Sequence, residues 1–578
     1  MMEGKWRAVL RRAALLAVTA ALTRCTGNIG ELPDGAPTVG ELVCDPAAAP
    51  AASPLKRLSN QQYQNALRDL FAAPALDGVL TQARAVTPSF DALPRDGDVA
   101  DTFGVMDGRL SDVHLDVYFN VADGIATAAS SGADRRAALA GACINAPTIS
   151  AACAEGFIRD FGLRAYRRPL TQAEVTRMME LAPSGVTGEE LVGDVVFSML
   201  MAPQFLYHFE NGGSAVDAAG TRFALTEHEL AARLSFHFWQ TIPDDALLDA
   251  ATSGALSTPE GYSAQVERLA AHEKARESVR TFFDEWYELV AVRTFPSTAL
   301  FQAAYAGVST DGALYGEMVA EVHDLIDHVL DSGGGYHDLL TSSAATVRSP
   351  RVAALYGVAP WDGVSAPASF PEGERSGVLT RAALVLQTSG RTNPVLRGAR
   401  IRKEILCEGI KVPPDLPSEA LSPPPLDPSA TTRERYAAKT SAPACNGCHS
   451  VVNPMGYTLE LYDGLGRYRT VERVLDDAGE EIASLPIDPV IEPRLTPDDA
   501  TVAANRAELM ELVAESADLD VCFARHYFRY TFRRDEVRAA DDCALIAVRD
   551  AATGGTLVDA LRAVAYTEAF KQRVMGAP

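Results

Sequence analysis

Leu225-Thr226-Glu227-His228-Glu229-Leu230-Ala231-Ala232-Arg233-Leu234-Ser235-Phe236-His237-Phe238 decides the fold class of this chain. Thr226 and Glu229 form a capping box, in which each side chain accepts a hydrogen bond from the other residue's backbone N–H. Leu225 and Leu230 close the entry as a hydrophobic staple. Leu230, Leu234 and Phe238 then fall every four residues, one apolar stripe of a long helix. His237 stands beside that stripe and reads as a core or rim histidine. The same device opens two more helices, with Ser59 and Gln62 behind Leu58, and with Thr171 and Glu174 behind Leu170. Their unequal spacing excludes a solenoid repeat. Residues 260–290, 313–331, 505–535 and 556–574 also read as helical, and strand signals are sparse. The expectation is a mainly α, multi-domain helical body.

Cys445-Asn446-Gly447-Cys448-His449 is the stretch that carries chemistry. C-x-x-C-H is the attachment signature of c-type haem. Two thiols three residues apart share one side of a helical turn, so both reach the vinyl groups of one porphyrin. The histidine brings an imidazole under the iron as proximal ligand. No second C-x-x-C stands by to complete a four-cysteine zinc site. The expected cofactor is one covalent haem c on Cys445 and Cys448, with His449 as iron ligand. The sixth ligand is Met510 or Met455, with an open or water-filled position as the alternative. Met455 lies six residues past His449, a short path around a porphyrin edge, so Met510 on a downstream helix is favoured. Arg467 and Arg469 lie close enough in sequence to pair with propionates. Arg164, Arg167 and Arg168 read as a solvated or salt-bridged helix end rather than a site for a haem propionate or an acidic ligand. Sequences for a zinc protease, a serine hydrolase or a phosphate-binding loop are absent.

The chain has 578 residues and a formal charge of −24. That charge argues against nucleic acid or anionic membrane surfaces as partners. The N-terminus reads as an export signal. Lys5, Arg7, Arg11 and Arg12 precede a short apolar run from Ala13 to Leu22, too short to span a bilayer. Leu22-Thr23-Arg24-Cys25 resembles a bacterial lipoprotein signal, with Cys25 as the lipidated residue. Arg24 departs from that pattern, which takes a small residue there. The expected location is the periplasm or the outer-membrane or cell surface, with membrane anchoring only through a lipidated N-terminus.

Nine cysteines are present. With Cys25 as anchor and two for haem, six remain for disulfides in an oxidising compartment. Short loops favour Cys143 with Cys153 and Cys522 with Cys543, leaving Cys44 and Cys407 as a third pair. Sequence alone does not fix the connectivity.

Composition and breaks divide the chain. Residues 1–25 are the signal and 26–54 a flexible tether rich in Gly, Pro, Ala and Asp. Helical domains follow at 55–140, 141–215 and 216–345. A haem-bearing domain at 346–475 contains a stiff Pro-rich linker, 411–428, and residues 476–578 form a helical closing domain. Pro454-Met455-Gly456 reads as a helix break, Asp463-Gly464-Leu465-Gly466 as a turn, and 470–503 as irregular with short strand-like runs.

Several motifs in fixed order resemble the exported multi-domain proteins of the planctomycete-type cytochrome c group, here in a myxobacterial-like lipoprotein variant. Arg57-Leu58-Ser59-Asn60-Gln61-Gln62-Tyr63 is similar to the group's opening domain. Arg164 to Leu170 resembles the next. Ala232 to Trp239 with Ile242-Pro243-Asp244-Asp245 resembles the central helical domain. Asn393 to Gly398, Cys445 to His449 and Asn453 to Tyr457 resemble the haem-bearing domain. Tyr527 to Arg534 resembles the closing domain. His237 stands where the group usually has an apolar residue, and Arg534 where a glycine often precedes the arginine. The resemblance implies export and haem, in a C-terminal cytochrome c-like segment, but no substrate. The expected function is one-electron transfer in the cell envelope with a redox partner protein. The rivals are a haem-dependent oxidoreductase on an unknown small molecule, and an envelope scaffold with an accessory haem. No catalytic constellation stands in the sequence.

Overall fold

Each of the three capping boxes forms. Ser59 Oγ accepts from Gln62 N at 3.0 Å, and Gln62 Oε1 accepts from Ser59 N at 3.1 Å. Thr171 with Glu174 and Thr226 with Glu229 repeat the exchange and open Gln172–Met179 and Glu227–Trp239. The computed structural model describes residues 42–574, apart from 46, 49, 53–54, 87–91, 95, 100–102, 106–109, 219, 292, 411–415 and 497–498. The export signal, Cys25, most of the tether and the start of the Pro-rich linker lie outside the described residues. The fold is mainly α, with 56% of the chain helical and the described strands paired only two by two. No helix of the described residues is long and apolar enough to cross a membrane.

The chain divides into two compact units, Leu42–Glu288 with Ala524–Pro578, and Leu289–Phe523. In the first, Asn60–Leu70, Asp112–Ser130, Ala151–Tyr166 and Gly188–Leu200 bury a continuous apolar core that runs from Leu58 through Val121, Phe157 and Val195 to Phe236. Glu227–Trp239 packs on Asp245–Thr252, Pro259–Ala270 and Lys274–Trp286. Leu230, Leu234 and Phe238 are all buried, as the four-residue stripe requires. His237 is a core histidine. Its Nε2–H donates to the Leu561 carbonyl at 2.9 Å, and burial pushes its pKa down to about 4. Arg167 and Arg168 are likewise taken up locally. Arg168 pairs with Glu174 at 2.8 Å, and Arg167 donates to the carbonyls of Gln204, Phe205 and Tyr207.

In the second unit, Gly312–Asp331 buries Leu314, Met318, Val322, Leu325 and Val329 against Tyr336–Thr341, Pro350–Tyr356 and Ala382–Val385. Arg381 donates to Glu321 at 2.9 Å inside this core, both side chains being essentially unexposed. A hairpin, Val471–Leu475 with Glu481–Pro486, fills much of the stretch read as irregular. Its register pairs Val471 with Pro486 and slips at Val474/Leu475. Within the Pro-rich linker, Ser418–Leu421 makes one helical turn.

Cys143 and Cys153 are bonded. The pairing expected for Cys522 and Cys543 is corrected. Cys522 bonds Cys407, and Cys543 bonds Cys44. Sequence proximity misled because Cys522 lies in the middle of Ala517–Phe532, its sulfur buried and turned onto the Glu404 carbonyl at 3.4 Å. Cys543 sits at the start of another helix, Asp542–Ala552, beyond a turn in which Arg533 and Ala539 take positive φ. Val43 N donates to Asp542 Oδ2 at 3.2 Å and sets Cys44 beside Cys543.

Candidate functional site

The motif lies on Pro443–Tyr457. Pro443 at its first position needs no intrahelical N–H partner, so it starts the helix at no cost. Cys445, Cys448 and His449 follow within the next two turns and are all partly exposed. The three disulfides take up the other six cysteines of the described residues, so the motif pair lies outside them.

The helix does not break at Pro454. It runs through to Tyr457 with the proline inside it. What overrides the proline is a close helix crossing with Pro394–Arg400. A Cβ on Gly398 would stand 2.1 Å from the Val452 carbonyl oxygen, and one on Gly456 1.8 Å from the Pro394 carbonyl oxygen. The two glycines let the backbones touch, and no larger residue fits either place. Arg397, on the same crossing helix, is buried. It donates to the carbonyls of Leu459 at 2.7 Å, Tyr462 at 2.9 Å, Val385 at 2.7 Å and Asp463 at 3.0 Å. Arg402 donates to the Val451 carbonyl at 2.9 Å. The motif helix is thus fixed at its C-terminal half, while its N-terminal half presents the two thiols and the imidazole.

His449 is oriented from behind. Its Nδ1 faces Asn453 Oδ1 at 2.9 Å. Asn453 is only 3% exposed, and its amide is set by Thr440, whose hydroxyl donates its one proton to the Tyr436 carbonyl at 2.8 Å and so must accept from Asn453. Asn453 Nδ2 donates to Thr440 Oγ1 at 2.9 Å and to Tyr457 OH at 3.1 Å. With the amide nitrogen committed there, Oδ1 is the atom turned to the imidazole and must accept. The proton therefore sits on Nδ1 and the lone pair on Nε2, the tautomer a metal ligand needs. Tyr457 is in turn held under Arg433, whose guanidinium lies 5.0 Å from the ring centroid, and burial raises its hydroxyl's pKa. Asn453 and Thr440 are partners of the His449 side that the sequence reading passed over. The signal for Asn453 was present, because it follows His449 by four residues on one helix.

The two methionines considered as sixth ligand are both fully buried. Met455 lies on the same continuous helix as His449. Met510 lies on Arg506–Ala514, which packs on Tyr336–Thr341 and on Thr458–Leu461, the turn that follows the motif helix. Arg467 and Arg469 line a cleft of about 300 Å³ that none of the three motif residues lines. Arg467 donates to Asp463 at 2.6 Å, and Arg469 to the Glu460 carboxylate at 3.2 Å.

Two thiols on one turn, outside every disulfide, with an imidazole whose Nε2 keeps its lone pair, form a donor set that fits covalent haem c.

Four family models match the chain in order. They are PSD3, protein of unknown function (DUF1587), over residues 56–131; PSD5, protein of unknown function (DUF1595), over 153–210; PSD4, protein of unknown function (DUF1592), over 225–358; and PSCyt3, protein of unknown function (DUF1588), over 375–472. The last spans Cys445 to His449, and its name points to a cytochrome c-like family. No curated protein and no solved structure matches the chain.

Proposed function

From a chain that belongs to the multi-domain planctomycete cytochrome c-type family, we propose a one-electron carrier of the cell envelope. In this reading Cys445 and Cys448 hold one haem c by thioether bonds and His449 is the proximal ligand. The observation that carries it is the hydrogen bond between His449 Nδ1 and Asn453 Oδ1 at 2.9 Å, which leaves Nε2 as the ligating nitrogen. Bound there, the group supplies reversible one-electron exchange between ferric and ferrous iron. The protein's own part is to orient and tune. Asn453 holds the imidazole in one tautomer and raises its basicity, and the Gly398–Gly456 crossing fixes the helix that carries it. Export is supported by three disulfides, which persist in oxidising compartments. The electron donor or acceptor is then another envelope protein. Lipidation at Cys25 would attach the chain to the membrane through its N-terminus.

Met510, on Arg506–Ala514, is the residue that would serve as sixth ligand, because Met455 lies only six residues past His449 on the same continuous helix. The test is the ferric spectrum of the full chain, expressed with a haem c maturation system. A low-spin spectrum is expected, with a weak near-infrared sulfur-to-iron band that is lost in Met510→Ala and kept in Met455→Ala. A high-spin spectrum with fast carbon monoxide binding would contradict electron transfer and favour the oxidoreductase reading.

A further inference from the structure

The unit Leu289–Phe523 contains a second convergence of polar side chains. The cleft of about 300 Å³ is bounded by the loop at Gly390–Thr392, the start of Thr432–Lys439, the turn at Asp463–Arg469 and the strand Val471–Leu475. Five guanidinium groups line it, from Arg391, Arg435, Arg467, Arg469 and Arg473, against the carboxylates of Asp463 and Glu472. Each arginine also pairs with a carboxylate, Arg391 with Asp477, Arg435 with Glu472, Arg467 with Asp463, Arg469 with Glu460 and Arg473 with Glu481, so the cleft is rich in guanidinium donors rather than in net charge.

The arginines are held in advance of any ligand. Arg467 is fixed by Asp463 at 2.6 Å and by the Ala304 carbonyl at 2.7 Å. Arg469 is fixed by the Glu460 carbonyl at 3.0 Å, Arg391 by Asp477 at 2.8 Å, and Arg473 by Glu481 at 2.7 Å. Glu460, Asp477 and Glu481 are not among the lining residues. Arg435 donates from Nη2 to Thr432 Oγ1 at 2.7 Å and to Glu472 at 3.2 Å. Its side chain is 9% exposed, and its Nη1 is buried without a hydrogen-bond partner. A buried donor of that kind is destabilising until an acceptor meets it.

The chemistry of the lining narrows the class of ligand. Every cation in it is an arginine, whose planar fork matches an oxyanion edge with two parallel bonds. Tyr305, Tyr468, Leu426 and Val474 give a carbon skeleton a surface to lie on. We propose that this cleft binds a small organic anion carrying two or three carboxylates. The arginines receive the carboxylates, and Nη1 of Arg435 finds its acceptor in one of them. Arg435, Arg467 and Arg469 are each held by two acceptors, so they lose little side-chain freedom on binding.

The proposal does not depend on what is attached at Cys445 and Cys448. Isothermal titration of the full chain with citrate, at fixed ionic strength, tests it against acetate and pyrophosphate. One citrate per chain is expected, bound at least tenfold more tightly than acetate. Arg391→Gln with Arg473→Gln, both at partly exposed pairs, should weaken citrate at least tenfold without moving the unfolding midpoint of the unliganded protein. Arg435→Gln should weaken it as much. Citrate heats equal to those of sodium chloride at matched ionic strength would overturn the site. So would equal citrate affinity in wild type and in the double variant. Tighter binding of pyrophosphate than of citrate would overturn the carboxylate class.

Discussion

His237 and His449 each lie on a helix, and each has one ring nitrogen in a hydrogen bond at 2.9 Å. Their settings differ in every other respect. His237 spends Nε2 on a backbone carbonyl, is buried among Phe238, Tyr527 and Phe570, and is held neutral by burial. His449 spends Nδ1 on a buried amide, keeps Nε2 in hand, and stands partly exposed beside two thiols. Burial alone therefore does not mark a functional imidazole. Which nitrogen is committed, and to what, separates a packing histidine from a ligand.

The cysteines repeat the contrast, and they give the largest expected effect. Of the eight cysteines among the described residues, six form disulfides and two belong to the motif. Cys407→Ser should destabilise the unit Leu289–Phe523 by about 5 kcal/mol on the chain-entropy model, because the Cys407–Cys522 bond closes a sequence separation of 115 residues. Chemical denaturation reads the loss. Non-reducing peptide mapping should recover Cys407 with Cys522 and Cys44 with Cys543. A Cys522–Cys543 peptide would break the distinction drawn here.

The next effect belongs to His237. Its folded pKa, about 4, lies below the ordinary value of 6.5. Between those values the unfolded chain binds a proton that the folded one does not, so stability falls as pH drops from 6.5 towards 4. The full span is worth about 3 kcal/mol. His208, pushed well down chiefly by burial, adds to the same slope. Denaturation midpoints of wild type and His237→Leu, compared at pH 7 and pH 4.5, should differ in their pH dependence by that order. A parallel pair of curves would mean that His237 is solvated or charged in the folded protein.

A smaller effect sharpens the other half of the comparison. Asn453→Val removes the acceptor from His449 Nδ1 and makes the imidazole a weaker base. Ferric iron is then less stabilised, and the reduction potential should rise. Asn453→Asp should lower it. Potentiometric titration of the loaded proteins reads both, and an unchanged potential in both would remove Asn453 from the site.

The helices were legible because their signals are local. Ser59 with Gln62, and Thr226 with Glu229, form the hydrogen bonds that their spacing implies. The stripe Leu230, Leu234 and Phe238 is buried as its period requires. What the sequence hid is non-local. Gly398 and Gly456 look like two glycines among many until the helices cross at them. Pro454 reads as a breaker because its neighbour in space, Pro394–Arg400, is far away in sequence. Asn453 was within reach of the sequence, four residues past His449 on one helix, but its hydrogen bonds to Thr440 and Tyr457 were not. Cys522 chose a partner across a folded unit over one a helix away, which loop length does not reveal.

The central claim is that His449 differs from His237 because a porphyrin is attached beside it. It is tested most directly by mass spectrometry of the peptide spanning Cys445 to His449, taken from full chain expressed with a haem c maturation system. The prediction is that this peptide carries the mass of one haem, stable to denaturation, and that Cys445→Ala with Cys448→Ala abolishes it. Recovery of the peptide with both cysteines alkylated and no haem mass, while a control cytochrome c in the same cells carries its haem, would contradict the account.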